Sequence, residues 1–155
     1  MLKLVKIIIL IFLLLIPVDI LFAKRMFFRD FKALKSYLIN KITEAEKRIY
    51  VLTYGLTSTD IATALILSNY RKLKVKVLLN QDDRSIKQSK YEYLRSNDVS
   101  VRLGRFATKY PYSVLIIDNT TYKIFEKLAN VPYNNGYLLE LVYGARATGY
   151  FVNKI

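Results

Sequence analysis

One carboxylate, Asp118, stands where α/β proteins often place functional groups, at the end of a core strand. It follows residues 114–117, a short apolar run rich in β-branched side chains, which predicts a buried strand. Asn119 and Thr120 predict a turn, so that residues 121–125 fold back as a second strand. The pattern allows two interpretations: Asp118 is part of a site, or it is only a turn residue.

Cations, aromatic rings and hydroxyls precede this strand. The predicted loop at 104–112 contains Arg105, Phe106, Lys109, Tyr110 and Tyr112. Basic residues interleaved with aromatic ones are typical of surfaces that bind single-stranded nucleic acid or sugar phosphates through charge and stacking. The alternative is that these rings cover the end of the sheet.

The elements that must position these residues alternate between strands and helices. The periodicity predicts helices at 27–47, 58–69, 85–96 and 145–155, and strands at 48–53, 74–79, 99–103, 114–117, 121–125 and 137–143. This order predicts an α/β fold with a mixed, largely parallel sheet and helices on both faces.

Composition restricts the chemistry. The 155 residues contain no cysteine and no histidine, so a zinc or iron site is not expected. Asp82 and Asp83 are candidates for a magnesium or calcium site, but a solvated loop explains them much better, and we predict no metal and no cofactor. The net charge of +13 indicates an anionic partner, either nucleic acid or phospholipid head groups, although lysine-rich surfaces also serve solubility.

The first 23 residues differ from the rest. Lys3 and Lys6 precede ten apolar residues at 7–16, and Pro17 then leads to the small residue Ala23, which is typical of a signal peptide. The alternative is a membrane anchor over residues 5–22. We therefore divide the chain into 1–23, a signal peptide or anchor, and 24–155, one domain that is exported (periplasmic, cell-surface or secreted) or held at the inner membrane.

Three segments, 47–67, 73–82 and 110–119, resemble the phospholipase D-like superfamily, which includes small endonucleases and lipid phosphodiesterases. They are similar to the family's opening strand, loop and helix, to its next strand, and to the segment that carries its His-x-Lys-x4-Asp motif. The resemblance covers roughly residues 28–155 and implies the family's fold for the domain at 24–155. Because single-motif members of the family pair to complete one site, it also implies a homodimer.

The third segment departs from the motif. Asp118 matches the aspartate, but Pro111 occupies the histidine position and Ser113 the lysine position. In the family, that histidine attacks phosphorus to form a phosphoenzyme, and a partner histidine protonates the leaving group. Proline can perform neither step.

Three functions follow as hypotheses. The first is an inactive domain that keeps a phosphate-sized cleft near Asp118 and binds an anionic polymer or lipid; its candidate contacts are Arg102, Arg105, Lys109, Tyr112 and Ser113. The second is an active phosphodiesterase whose nucleophile is Tyr112, Ser113, Asp118 or a histidine supplied by a partner chain. The third is a protein-interaction module without catalysis.

Overall fold

Seven strands and three helices occupy the part of the chain that the computed structural model describes, residues 23–81, 87–105, 112–126 and 136–143. In chain order they are β1 (Ala23–Phe28), α1 (Phe31–Thr43), β2 (Arg48–Thr53), α2 (Thr59–Tyr70), β3 (Lys74–Asn80), α3 (Tyr91–Arg95), β4 (Ser100–Gly104), β5 (Tyr112–Ile117), β6 (Thr120–Glu126) and β7 (Tyr137–Tyr143).

The strands form one sheet in the order β1-β7-β6-β5-β2-β3-β4. Only β2–β3 and β3–β4 pair in parallel, and the other four neighbouring pairs are antiparallel. The predicted mixed α/β class is confirmed, but the prediction that the sheet is largely parallel was wrong. The reason is that no helix of the described residues lies between β4 and β7, whereas parallel neighbours need a long crossover connection, usually a helix.

The three helices pack on one face of this sheet. Leu34, Leu38 and Ile42 follow helical spacing along α1, and they join the buried side chains of α2 and α3 in the main core against β2, β3, β5 and β7. The β2 and β5 side chains that alternate with that core form a second apolar cluster on the other face. The predicted helix at 145–155 lies outside the described residues.

The first helix is shorter than the sequence predicts. Residues 23–28 form β1, an edge strand paired with β7, and α1 begins at Phe31. The Asp30 carboxylate accepts a hydrogen bond from Ala33 N at 2.8 Å and so caps the helix one residue before it starts. Similarly, α3 covers Tyr91–Arg95, so that residues 87–90 of the predicted helix at 85–96 are not helical; residues 85 and 86 lie outside the described residues.

Within the described residues, no helix is long and apolar enough to cross a membrane. The segment 1–22, on which the prediction of a signal peptide or anchor rests, lies outside those residues.

Candidate functional site

Two motif positions, Ser113 and Asp118, lie at opposite ends of β5, a central strand of the sheet. Ser113, at the lysine position, is the second residue of β5, and Asp118 directly follows the last one. Asp118 lies five positions after Ser113, which corresponds to about 17 Å along an extended strand. Pro111, at the histidine position, lies outside the described residues. The two ends therefore have separate environments.

At the first end, Ser113 is bonded to a second hydroxyl. Ser113 Oγ lies 2.8 Å from Thr53 Oγ1, at the carboxyl end of β2. Thr53 Oγ1 donates to the carbonyl oxygen of Gly55 at 3.1 Å. Because a hydroxyl has one proton, the Ser113 hydroxyl is then the donor of the bond to Thr53. Among the described residues, neither hydroxyl is hydrogen-bonded to a group that would remove its proton.

This hydroxyl pair borders a cavity of about 120 Å³ between the sheet, α1 and the start of α2. Its lining is mainly apolar, from α1, β2, β5, β6 and the 55–58 loop. Four lining side chains carry hydroxyls: Thr53, Thr57, Ser58 and Ser113. The described part of the lining contains no charged side chain. Ligand pockets usually measure about 300–1,000 Å³, so this cavity admits only a small group.

Side chains of the protein itself already interact with the N-terminus of α2, next to this cavity. Ser58 caps the helix by accepting from Ile61 N, and Asp60 in its first turn forms an ion pair with Lys35 of α1. An acidic side chain in the first turn complements the positive end of the helix dipole. The protein thus places its own carboxylate where an anionic ligand would otherwise be attracted.

At the other end of β5, Asp118 binds backbone. Its Oδ1 accepts from Lys47 N at 2.8 Å and Arg48 N at 3.0 Å, and its Oδ2 accepts from Glu46 N at 3.1 Å. Arg48 Nε donates to the Asp118 carbonyl at 2.9 Å. Successive N–H groups of this kind form a concave anion site. The Asp118 carboxylate fills that site and fastens the β5–β6 turn to the start of β2.

The electrostatics and backbone of Asp118 agree with this role. Burial on its own would raise the pKa of the Asp118 carboxyl, but the N–H groups of Arg48, Glu46 and Lys47 outweigh burial and lower the pKa below its ordinary value. Its φ of 52° lies in the left-handed region, which aspartate tolerates better than most residues. The turn interpretation of Asp118 fits the structure, and the cavity described above lies at the Ser113 end of β5.

The other predicted contacts do not form one cluster. Tyr112 and Arg102 lie on the sheet face opposite the helices, whereas Ser113 faces the helices. Arg105 follows β4, three strands from β5, and its Nε donates to Gln81 Oε1 at 2.8 Å. Lys109 lies outside the described residues. The structure therefore separates Ser113 from the described arginines.

Sequence reasoning missed two features. One is Thr53, whose partnership with Ser113 depends on the pairing of β2 with β5. The other is the 46–48 segment that binds Asp118. Neither shows a local signal, because both join residues 60 or more positions apart.

No group of acidic side chains in the described residues is arranged to hold a metal ion. Asp82 and Asp83 lie outside those residues.

Comparison with known proteins decides the family. Residues 38–124 match the family described as "Cardiolipin synthase, PLD-like domain". This chain belongs to the phospholipase D-like family. It is 33% identical over 82 residues to a phospholipase D of Rickettsia felis, a match that covers 53% of this chain and 41% of the relative. The chain thus spans less than half the length of that relative.

Solved structures show the same fold. Nuc from Salmonella typhimurium, a phospholipase D family member, gives a TM-score of 0.67 at 17% identity over 86% of this chain and 91% of Nuc. TrmBL2, an archaeal chromatin protein with a novel mode of DNA binding, gives 0.60 at 20% identity over 96% of this chain and 56% of TrmBL2. The predicted superfamily is confirmed.

Proposed function

We propose that this phospholipase D-like domain binds a phosphate-containing anionic ligand and does not hydrolyse it by the family's histidine mechanism. The observation that carries the proposal is the set of chemical groups at the Ser113 end of β5. There, an apolar cavity bordered by a bonded pair of hydroxyls stands in place of a cation and a nucleophile, and the chain has no histidine.

Charge supports the binding half of the proposal. A net charge of +13 on 155 residues attracts polyanions and speeds their encounter with the protein. TrmBL2, which shares the fold, is described as binding DNA, and the rickettsial relative is named for a lipid substrate. Both carry phosphodiesters, which is the chemistry we assign to the ligand.

Two further parts of the proposal concern place and assembly. The apolar run after Lys3 and Lys6 supports an exported domain, or one anchored to the inner membrane by residues 5–22. The resemblance to single-motif family members supports a homodimer.

The second candidate is an active phosphodiesterase, favoured by the rickettsial relative's name and by the hydroxyl of Ser113 at the cavity. A serine nucleophile needs a base within hydrogen-bond reach. The Ser113 partner is Thr53, which is not a base at neutral pH and whose proton is given to Gly55. Activity would therefore require a histidine from a partner chain.

The test is turnover of a chromogenic phosphodiester, of single-stranded DNA and of phosphatidylcholine by the full chain in neutral detergent, with and without EDTA. The variant is Ser113→Ala, and the matched control is Ser36→Ala on the exposed side of α1. We expect no turnover by any of the three proteins. Turnover that Ser113→Ala abolishes and Ser36→Ala retains would overturn the inactive assignment. A chain that neither turns over these substrates nor binds any polyanion would support the interaction module instead.

A further inference from the structure

The sheet face opposite the helices carries four cations on three adjacent strands. Lys74 lies beside Arg48 in the β2–β3 register, Lys76 is two residues further along β3, and Arg102 of β4 lies beside Leu78. Alternation along each strand places all four on the face of the second apolar cluster, to which Leu78 also belongs. We call Arg48, Lys74, Lys76 and Arg102 the basic strip.

Ideal sheet geometry gives the spacing between the backbone positions of the basic strip. Neighbouring strands lie about 4.8 Å apart, and alternate residues of one strand about 6.6 Å apart. The strip therefore advances across the sheet in steps of roughly 5–8 Å.

An aromatic ring holds two of these cations side by side. Arg48 Cζ and Lys76 Nζ lie 5.8 and 5.7 Å from the centre of the Tyr50 ring. Arg48 is also fixed through its bonds to Asp118 O and to Asn119 Oδ1. Cation–π attraction of this kind offsets part of the repulsion between like charges. The strip is thus a positioned array of charges.

The basic strip has no internal counter-charge. In the described part of the chain, none of its four cations forms an ion pair with a carboxylate. By contrast, across the same face the cations Arg25 and Lys123 both pair with Glu140. Lys74 and Arg102 are also exposed to solvent. An array of cations that lacks such ion pairs, and of which Lys74 and Arg102 are exposed, is suited to an external polyanion.

We propose that the basic strip binds the phosphate backbone of a nucleic acid. This rests on the proposed function, and it names the polymer and the surface. The rings and side chains beneath the strip are buried: Tyr50 is 3% exposed and Leu52 4%. Tyr50 therefore offers no face for base stacking, and Leu52 cannot insert into a membrane interface. Recognition is by charge, without sequence preference, and it leaves the Ser113 cavity on the other face accessible.

The test is the salt dependence of binding to a fluorescent DNA duplex of random sequence by the full chain in neutral detergent. Each phosphate contact contributes about 0.9 to the slope of log affinity against log salt concentration. The variant Lys74→Gln/Arg102→Gln removes two exposed strip cations, and we expect its slope to fall by about 1.8 and its affinity at about 100 mM salt to fall about tenfold or more.

The matched control is Lys32→Gln/Lys87→Gln, which removes two exposed lysines outside the basic strip. Its net charge equals that of the Lys74→Gln/Arg102→Gln variant. We expect its slope to match that of the unchanged protein and its affinity to fall by about twofold or less. Urea unfolding of both variants checks that they fold. Equal losses in the variant and the control would overturn the basic strip as the binding surface.

Two other ligands distinguish a failure of the nucleic-acid proposal from a failure of the proposed function. Binding of inorganic polyphosphate or of a soluble short-chain phosphatidylglycerol, without binding of DNA, would overturn nucleic acid as the partner and leave the proposed function standing. Failure to bind any of the three would overturn both.

Discussion

The two ends of β5 differ in what they retain of the family motif. The Asp118 end keeps the residue of the motif, and within the described residues the hydrogen bonds of its carboxylate go to the backbone of the 46–48 segment. At the other end, Ser113 stands at the position of the motif's lysine, and its hydroxyl is hydrogen-bonded to that of Thr53. The comparison indicates that the aspartate of this chain serves the fold, so that it is needed whether or not chemistry occurs at the other end.

The largest expected effect is on stability at the Asp118 end. Asp118→Ala leaves three backbone N–H groups without their acceptor and puts alanine at a positive φ, so we expect the free energy of unfolding to fall by about 3 kcal/mol. Asp118→Asn keeps one acceptor oxygen and tolerates the backbone, so we expect a loss of about 1 kcal/mol. Urea unfolding measures both.

The matched control for this prediction is Asp98→Ala. Asp98 also has a positive φ, 59°, but its carboxylate makes no hydrogen bond or ion pair in the described part of the chain. It therefore reports the cost of the backbone conformation, about 1 kcal/mol. A loss for Asp118→Ala no larger than that for Asp98→Ala would contradict the fastening role.

The second expected effect is a dependence of stability on pH. The pKa of Asp118 is lower in the folded protein than its ordinary value of 3.8. Its contribution is thus fully present above that value and is lost as the pH falls through the folded-state pKa. We expect the urea midpoint of the unchanged protein to fall more steeply below about pH 4 than that of Asp118→Asn. Parallel curves for the two proteins would count against the assignment.

A smaller effect is expected at the Ser113 end. Ser113→Ala removes one neutral hydrogen bond, and Thr53 keeps its bond to Gly55, so we expect a loss of about 0.5–1 kcal/mol. A double-mutant cycle with Thr53→Val isolates the pair. Its coupling energy should not exceed about 1 kcal/mol, and a loss comparable with that of Asp118→Ala would erase the contrast between the two ends.

The smallest expected effect is a gain. Thr121 of β6, beside Ile116 of β5, is fully buried, and its hydroxyl has no hydrogen-bond partner among the described residues. Thr121→Val should raise the free energy of unfolding by about 0.5 kcal/mol, because an unpaired buried hydroxyl is costly. Thr120→Val, at the first residue of β6, is the control. A loss of stability in Thr121→Val would show that the hydroxyl is satisfied.

Sequence patterns predicted the local parts of this arrangement. Strand β5, its turn at Asn119 and the returning strand carry their signals within a few residues, as do β2, β3 and α2. The edge strand β1 was missed, because its exposed residues show little alternation and its order depends on pairing with β7. The site was predicted less well, because the neighbours of Ser113 and Asp118 are set by strand register and come from residues 60–72 positions away.

The Asp118 bonds also bear on the order in which the chain folds. They join segments 70–72 residues apart, whereas the β5–β6 hairpin closes over a few residues. Contacts between distant segments carry the larger loop-closure entropy, so we expect the hairpin to form before its turn is fastened to β2. Substitutions at Asp118 should then accelerate unfolding and leave the refolding rate nearly unchanged. The hydrogen bonds of the Asp118 carboxylate would then form late in folding and would slow the unfolding of the sheet.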